Sequence, residues 1–349
     1  NQQRPYNATE RCNGDRSLGQ AEGYGIDQVK KMIMMGCLKT AVALGCLLVS
    51  GSAFAQGNKQ KAEALQQSVD KYLYESSTGL YLETSNPAMN HNPHTYLWGL
   101  CGLIQAANEM ERIHPGKPYM QQVITAINQY YSPAPPAPGY ASYIVKEKRE
   151  DRYYDDNQWV GIAYLDAYAR TGRKWFLEKG EEICRFMMTG YDNVSGGGLY
   201  WKEGDKTTKN TCSNGPGILL ALDLYNATHK RSYLDTAKLL YNWVNKYLRS
   251  PDGVYWDAIK PAENNRIDSA AYTYNTGTML EANVKLYLIT KNTQYLKEAQ
   301  HIAAGSYRRF FRNGRFRSSY WFNAVLLRGY EALYKVDKNR KYINAMQEY

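Results

Sequence analysis

GILLALDLYNAT at 217–228, followed at once by RSYLDTAKLLYNWVNKYL at 231–248, decides the fold. The first stretch is apolar almost all round, as a helix enclosed on every side must be. The second keeps Leu234, Ala237, Leu240, Tyr241, Val244 and Leu248 on one stripe and sends Asp235, Lys238, Asn242 and Lys246 to the other side, the pattern of a helix half in water. Joined together, they make a helical hairpin with one leg inside and one leg outside.

The hairpin recurs along the chain. From Asn157, Asn214, Asn275 and Asn323, a polar or glycine-containing entry leads into an apolar helix. An aromatic follows (Tyr168, Tyr225, Tyr287, Tyr334), then a Thr or Asp (Thr171, Thr228, Thr290, Asp337), then a second helix led by Trp175, Tyr233, Tyr295 or Tyr342. Residues 95–131 repeat the scheme more loosely. One helix at 58–74 and hairpins from about 93, 155, 213, 273 and 319 give about eleven helices, an inner ring inside an outer ring. The fold class expected is therefore all-α. A double ring closed by whole pairs needs an even number, so the last inner helix is expected to be missing from the C-terminal end of this chain.

Ahead of the rings the sequence changes character. From Lys30 it reads KKMIMMGCLKTAVALGCLLVSGSAFAQ: a basic start, an apolar stretch from about Thr40 to Val49, and a small-x-small site at Ala53-Phe54-Ala55. That is the layout of a secretory signal, too short in its apolar part to span a membrane. Residues 1–31 read as disordered upstream translation, 32–55 as the signal, and 56–349 as a single domain. Lipid anchoring at Cys46 is disfavoured, because the apolar run continues past it. An exported protein, periplasmic or extracellular and without a membrane span, is expected.

Composition narrows the function. The chain has 349 residues, 44% of them hydrophobic, and a net charge of +10. The basic residues are scattered through helical patterns, apart from RRFFRNGRFR at 308–317, so a nucleic-acid partner is not expected. Cys101, Cys184 and Cys212 lie beyond the signal in odd number and without CxxC spacing, and read as buried small side chains. His91 and His94 have no third ligand in view, so no metal and no cofactor are expected.

Tyrosine is abundant, at 32 residues. Gly79-Leu80-Tyr81, Gly198-Leu199-Tyr200-Trp201 and Gly253-Val254-Tyr255-Trp256 place glycine and aromatics in connections that precede inner helices, as turns or hairpins on the rim of the ring. Tyr96, Trp98, Tyr153, Tyr154, Trp159, Tyr272, Tyr274, Tyr320 and Trp321 cluster near the inner-helix starts. Aromatics with a polar edge suit sugar rings, which stack by their C–H faces and bond through their hydroxyls. RYYDDNQWVG at 152–161 adds two adjacent carboxylates, Asp155 and Asp156, at one of these starts. Glycosidic cleavage needs two carboxylates about one bond, roughly 5 Å apart in retaining enzymes. The alternative for such a pair is a helix cap with favourable first-turn charge.

RYYDDNQWVGIAYLDAY, SGGGLYWKEGD, KNTCSNGPGILLAL, YTYNTGTML and YWFNAVLLRGYEALY together resemble glycoside hydrolase family 76, the endo-α-1,6-mannanases, and most closely its members from gut Bacteroides. The resemblance runs from about residue 60 to the end. It implies an (α/α)6 barrel, a retaining mechanism on the α-1,6-linked backbone of mannan, Asp155 as nucleophile and Asp156 as general acid/base. With the aromatics above, Tyr96, Trp98, Tyr154, Asn157, Trp159, Asn214, Tyr274, Asn275 and Trp321 are the expected sugar contacts. An α-mannan polysaccharide or oligosaccharide is the expected partner, and the protein is expected to act as a monomer. Two other readings stand beside it: a glycan-binding protein without turnover, and another enzyme on the same barrel, such as a glucuronyl hydrolase or a cell-wall transglycosidase. A glucuronyl hydrolase would need a basic cavity to receive a carboxylate.

Overall fold

A computed structural model of the chain describes residues 57–348 except 90 and 149. The expected upstream segment 1–31, the export signal 32–55 and Cys46 lie outside the described residues. By contact the chain divides into two units, Asn1–Ala62 and Glu63–Tyr349. Of the first, residues 57–62 are described and are helical.

The second unit is built from helices: α1 (63–72), α2 (Leu97–Ile113), α3 (Tyr119–Ile127), α4 (Tyr154–Thr171), α5 (Lys174–Met188), α6 (Thr211–Thr228), α7 (Arg231–Tyr247), α8 (Thr273–Thr290), α9 (Thr293–Phe310), α10 (Tyr320–Asp337) and α11 (Lys341–Glu348). Every residue of α6 from Thr211 to Leu222 is buried. In α7, Leu234, Ala237, Leu240, Tyr241, Trp243 and Val244 are buried, while Asp235, Asn242 and Lys246 face solvent and Lys238 is half-buried. The even-numbered helices form the inner ring and the odd-numbered ones the outer, as the hydrophobic patterns require. Among the described residues no helix is long and apolar enough to cross a membrane.

Two kinds of connection orient the rings. Inner helices pass to outer ones through tight turns. Gly172, His229, Lys291 and Lys338 each take a left-handed conformation, and their N–H groups donate to the carbonyls of Tyr168, Tyr225, Tyr287 and Tyr334. Outer helices pass to inner ones through short antiparallel strands. Tyr74–Glu75 pairs with Leu80–Tyr81, Tyr131–Ser132 with Gly139–Tyr140, and Phe311–Arg312 with Arg315–Phe316. Tyr200–Lys202, Asp205–Asn210, Trp256–Lys260 and Arg266–Ala271 join into a four-stranded sheet. All of these strands therefore gather at the end where the inner helices begin. The polar strand Asp205–Asn210, DKTTKN, lacks the apolar alternation that would announce it in sequence.

The inner helices pack at van der Waals limits. A Cβ on Gly277 of α8 would lie 2.6 Å from the Val325 carbonyl oxygen of α10, and one on Gly329 of α10 would lie 2.8 Å from the Gly277 carbonyl oxygen. Only glycine admits that approach. On the far side, α10 meets α2 through side chains: Trp321 packs edge-on against Trp98 at 5.8 Å and lies over Gly102. Deeper in the ring, Arg328 reaches Asp166, Glu281 and Gln105, and Lys285 holds Asp223 and Glu281, so both of these half-buried cations meet carboxylates.

Candidate active site

Because the inner helices start at one end, their first turns wall a common cavity of about 880 Å³. Tyr96, Trp98 and Gly99 come from the start of α2, Tyr153, Asp155 and Asp156 from α4, Asn210 and Cys212 from α6, Tyr272 and Tyr274 from α8, and Phe322 from α10. Glu83, Glu150, Trp201 and Asp257 close the wall from the connecting segments. Five carboxylates line the cavity, and no lysine or arginine does among the described residues. The positive ends of the inner helices point at this negative cluster and partly offset its repulsion.

Asp155 and Asp156 stand side by side in the first turn of α4, each 7% exposed. Neither caps the helix: the N-cap is Tyr153, with no side-chain cap bond. Asp155 Oδ1 accepts from the Asp156 N–H at 3.1 Å and Asp155 Oδ2 from the indole N–H of Trp201 at 3.1 Å. Burial pushes the Asp155 carboxyl up to about 6, with the Trp201 indole and the Cys212 thiol restraining it. Asp156 is raised well above the ordinary carboxylate range, by burial and then by the charge of Asp155. One member of the pair is thus biased toward the ionised form and the other toward the protonated form.

A third carboxylate, Asp257, sits on the strand Trp256–Lys260. Asn275 donates to its Oδ1 at 3.2 Å and Asn210 to its Oδ2 at 3.4 Å. Burial raises it, and those two amides oppose the shift. The sequence offered no signal for Asp257, an isolated acid in a strand. Trp201 did appear there in a rim element, but its bond to Asp155 joins residues far apart in the chain.

Tyr96, Trp98 and Tyr274 lie on the cavity wall where the aromatics were expected. Tyr274 is stacked on Phe322 at 4.0 Å. Tyr154, Asn157, Trp159, Asn214, Asn275 and Trp321 are placed behind the wall instead. Successive helical residues point about 100° apart, so a first turn can offer only part of its face to the cavity. Tyr154 turns away to Phe186 at 5.1 Å and to Thr189. Trp159 is fully buried and packs edge-on against Trp321 at 5.4 Å. Asn157 donates to the Tyr140 and Tyr153 carbonyls and accepts from the Tyr140 N–H. Asn214 does the same with Leu199 and Asn210. Both asparagines staple a strand to a helix start. Of the two histidines, His91 is exposed and His94 lies between Glu147, at 2.9 Å, and Glu75, at 3.5 Å. Cys101, Cys184 and Cys212 are buried and free.

Paired carboxylates in an aromatic cleft, set at the inner-helix starts of a double helical ring, place the chain among the helical-ring glycoside hydrolases. It belongs to glycosyl hydrolase family 76, whose model matches residues 58–345. A family 76 α-mannanase from Bacteroides thetaiotaomicron superposes with a TM-score of 0.76 at 27% identity, over 82% of this chain and 81% of its own. The α-1,6-mannanase of a Salegentibacter species superposes with a TM-score of 0.69 at 25% identity, over 83% of this chain and 84% of its own. That protein was solved as an inactive variant, with two consecutive aspartates replaced by alanine, in complex with α-1,6-mannotetrose. A mannan endo-1,6-α-mannosidase of Candida glabrata is 28% identical over 174 residues, 46% of this chain and 39% of that relative. The chain spans less than half the length of the curated relatives it matches. The double ring expected from the hydrophobic patterns is the (α/α)6 architecture of these structures.

Proposed function

We propose that the chain is a retaining, endo-acting glycosidase of α-1,6-linked mannan backbones. Asp155, the lower of the two carboxyls, attacks the anomeric carbon, and Asp156 delivers its proton to the departing glycosidic oxygen. A covalent mannosyl-enzyme forms. Asp156 then takes a proton from water, which displaces Asp155, and two inversions leave the anomeric configuration unchanged.

The observation that carries this reading is the unequal buried pair in the wall of an aromatic cavity that, among the described residues, no lysine or arginine lines. The consecutive aspartates replaced in the inactive Salegentibacter variant support a catalytic part for the adjacent pair Asp155 and Asp156. The carboxyl-rich wall favours a neutral sugar chain and disfavours a uronic acid, whose own carboxylate would be repelled by the ionised acids there. Residues 32–55 would send the enzyme out of the cytoplasm to meet such a polysaccharide, where it would work as a monomer.

The test is digestion of debranched α-1,6-mannan, with products read by mass spectrometry and the first-formed anomer by NMR. A ladder of internal fragments with α-configured new ends is expected. Ligand binding without any cleavage would instead make the chain a glycan-binding protein.

A further inference from the structure

Asp155 is held from two directions. Its Oδ1 accepts from the neighbouring Asp156 N–H, a bond local to α4, whereas the bond to Oδ2 comes from Trp201, on a different strand. That strand is itself tied to the residues leading into α4. Lys202 pairs with Asp151 at 2.9 Å and bridges to Tyr153, and the Glu203 N–H donates to the Arg152 carbonyl at 3.0 Å. The Glu203 carboxylate takes both forks of the buried Arg152 guanidinium, at 2.7 and 2.6 Å. The Tyr153 ring packs against the indole at 4.9 Å. Trp201 and Asp155 are therefore clamped into one unit by the residues on either side of each.

The indole is nevertheless 41% exposed and lines the cavity. One edge grips the carboxylate while a face stays open to an incoming sugar. Around Asp155 the other titratable groups are Asp156 on α4, Cys101 on α2, Cys212 on α6, Tyr274 on α8 and Tyr153 before the helix, with Asp257 on the same cavity wall. The aspartates among these can carry a charge that repels the nucleophile, whereas burial holds the Cys212 thiol and the Tyr274 phenol protonated. The indole N–H cannot lose its proton within the working range of an enzyme.

We infer that Trp201 is a positioning residue: its N–H fixes and keeps ionised the attacking oxygen of Asp155, and its ring seats the sugar against that oxygen. The inference rests on the reading of Asp155 as nucleophile. A hydrogen bond to a charged group favours the ionised form, so losing it moves the carboxyl upward.

Trp201→Phe removes the N–H and keeps a ring; Trp201→Ala removes both. For Trp201→Phe, kcat on oligomannoside should fall roughly tenfold to a hundredfold. The acid limb of kcat/KM should move about one pH unit higher, with KM within about twofold of the parent. Trp201→Ala should add a rise in KM. In the unaltered protein, the 15N-indole signal of Trp201 should shift with pH along the same acid limb, and Asp155→Asn should abolish that shift. A Trp201→Phe enzyme with unchanged kcat and pH profile would overturn the inference, as would an indole signal that ignores pH. If the parent cleaved no mannan, the proposed reaction would fall, and the indole titration would still decide whether Trp201 senses the charge of Asp155.

Discussion

Asn275 donates its side-chain amide to the carboxylate of Asp257, at 3.2 Å, where Asn157 and Asn214 at matching places in the repeat donate to backbone carbonyls. One residue type at one place in the hairpin thus does two jobs. In α4 and α6 it fastens a strand to a helix start; in α8 it holds an acid on the cavity wall. Asn157→Ala strands the Tyr140 N–H and carbonyl in the interior and should cost about 3 kcal/mol in urea unfolding, with little change in the kcat/KM of the folded fraction. Asn275→Ala should cost less stability and raise KM for oligomannoside. Equal stability losses and unchanged KM in both would erase the distinction.

The paired aspartates should separate by substrate. Asp155→Asn cannot form the glycosyl-enzyme and should lose at least roughly a thousandfold in kcat, on the order of 4 kcal/mol of barrier. Asp156→Asn should be equally poor on mannan yet still release an activated aryl leaving group, which needs no proton. Azide should then restore turnover and yield a mannosyl azide of retained configuration, identifiable by NMR. A double-Asn variant keeping more than a few per cent of activity would leave the pair without a catalytic part.

On the acid side, pH should govern rate and stability in opposite senses. Protonation of Asp155, whose carboxyl burial lifts to about 6, should extinguish kcat/KM on the acid side. Loss of the Asp156 proton should do so on the alkaline side. Both carboxyls are higher in the folded than in the unfolded chain. Their stabilising contribution is therefore complete below the ordinary value of 3.8 and is lost as pH rises through the folded values. Asp156→Asn should melt a few degrees above the parent near about pH 8, and the gap should close near about pH 4, as scanning calorimetry would record.

His229, Lys291 and Lys338 hold φ of 56°, 60° and 59° at the ends of inner helices, where α4 uses Gly172 at 69°. A side chain pays roughly 1 kcal/mol for that conformation. Lys291→Gly and Lys338→Gly should each raise stability by about 0.5 kcal/mol, the remainder going to the looser unfolded chain. Lower melting temperatures in both would show that the lysine stems contribute more than the backbone strain removes.

The rings were legible because burial writes itself into a helix as periodicity. The run GILLALDL has no polar face and α7 has one; Thr211–Leu222 is buried throughout, whereas α7 buries Leu234, Ala237, Leu240 and Val244 and exposes Asp235 and Asn242. The adjacent acids were legible because nothing separates them. What the sequence hid was direction and distance. Trp321 and Phe322 are equally plausible as wall residues by position, but Trp321 packs under Trp98 and Trp159 while Phe322 faces Tyr274. Tyr320, one residue earlier, stands 83% exposed. Trp201 and Asp257 join the cavity only because short polar strands fold back on the helix starts, and such strands carry no periodic signature.

The cavity wall is acidic, yet the whole chain carries a net charge of +10. On a negatively charged support the molecule would adsorb by its exterior and turn its mouth outward, toward the liquid. Uncharged chains would reach the cleft at rates indifferent to salt, whereas protonated imino-sugar mimics would crowd into it at low ionic strength and be driven out as salt is added. The protein would behave as a cation exchanger hollowed into an anion-exchange bead.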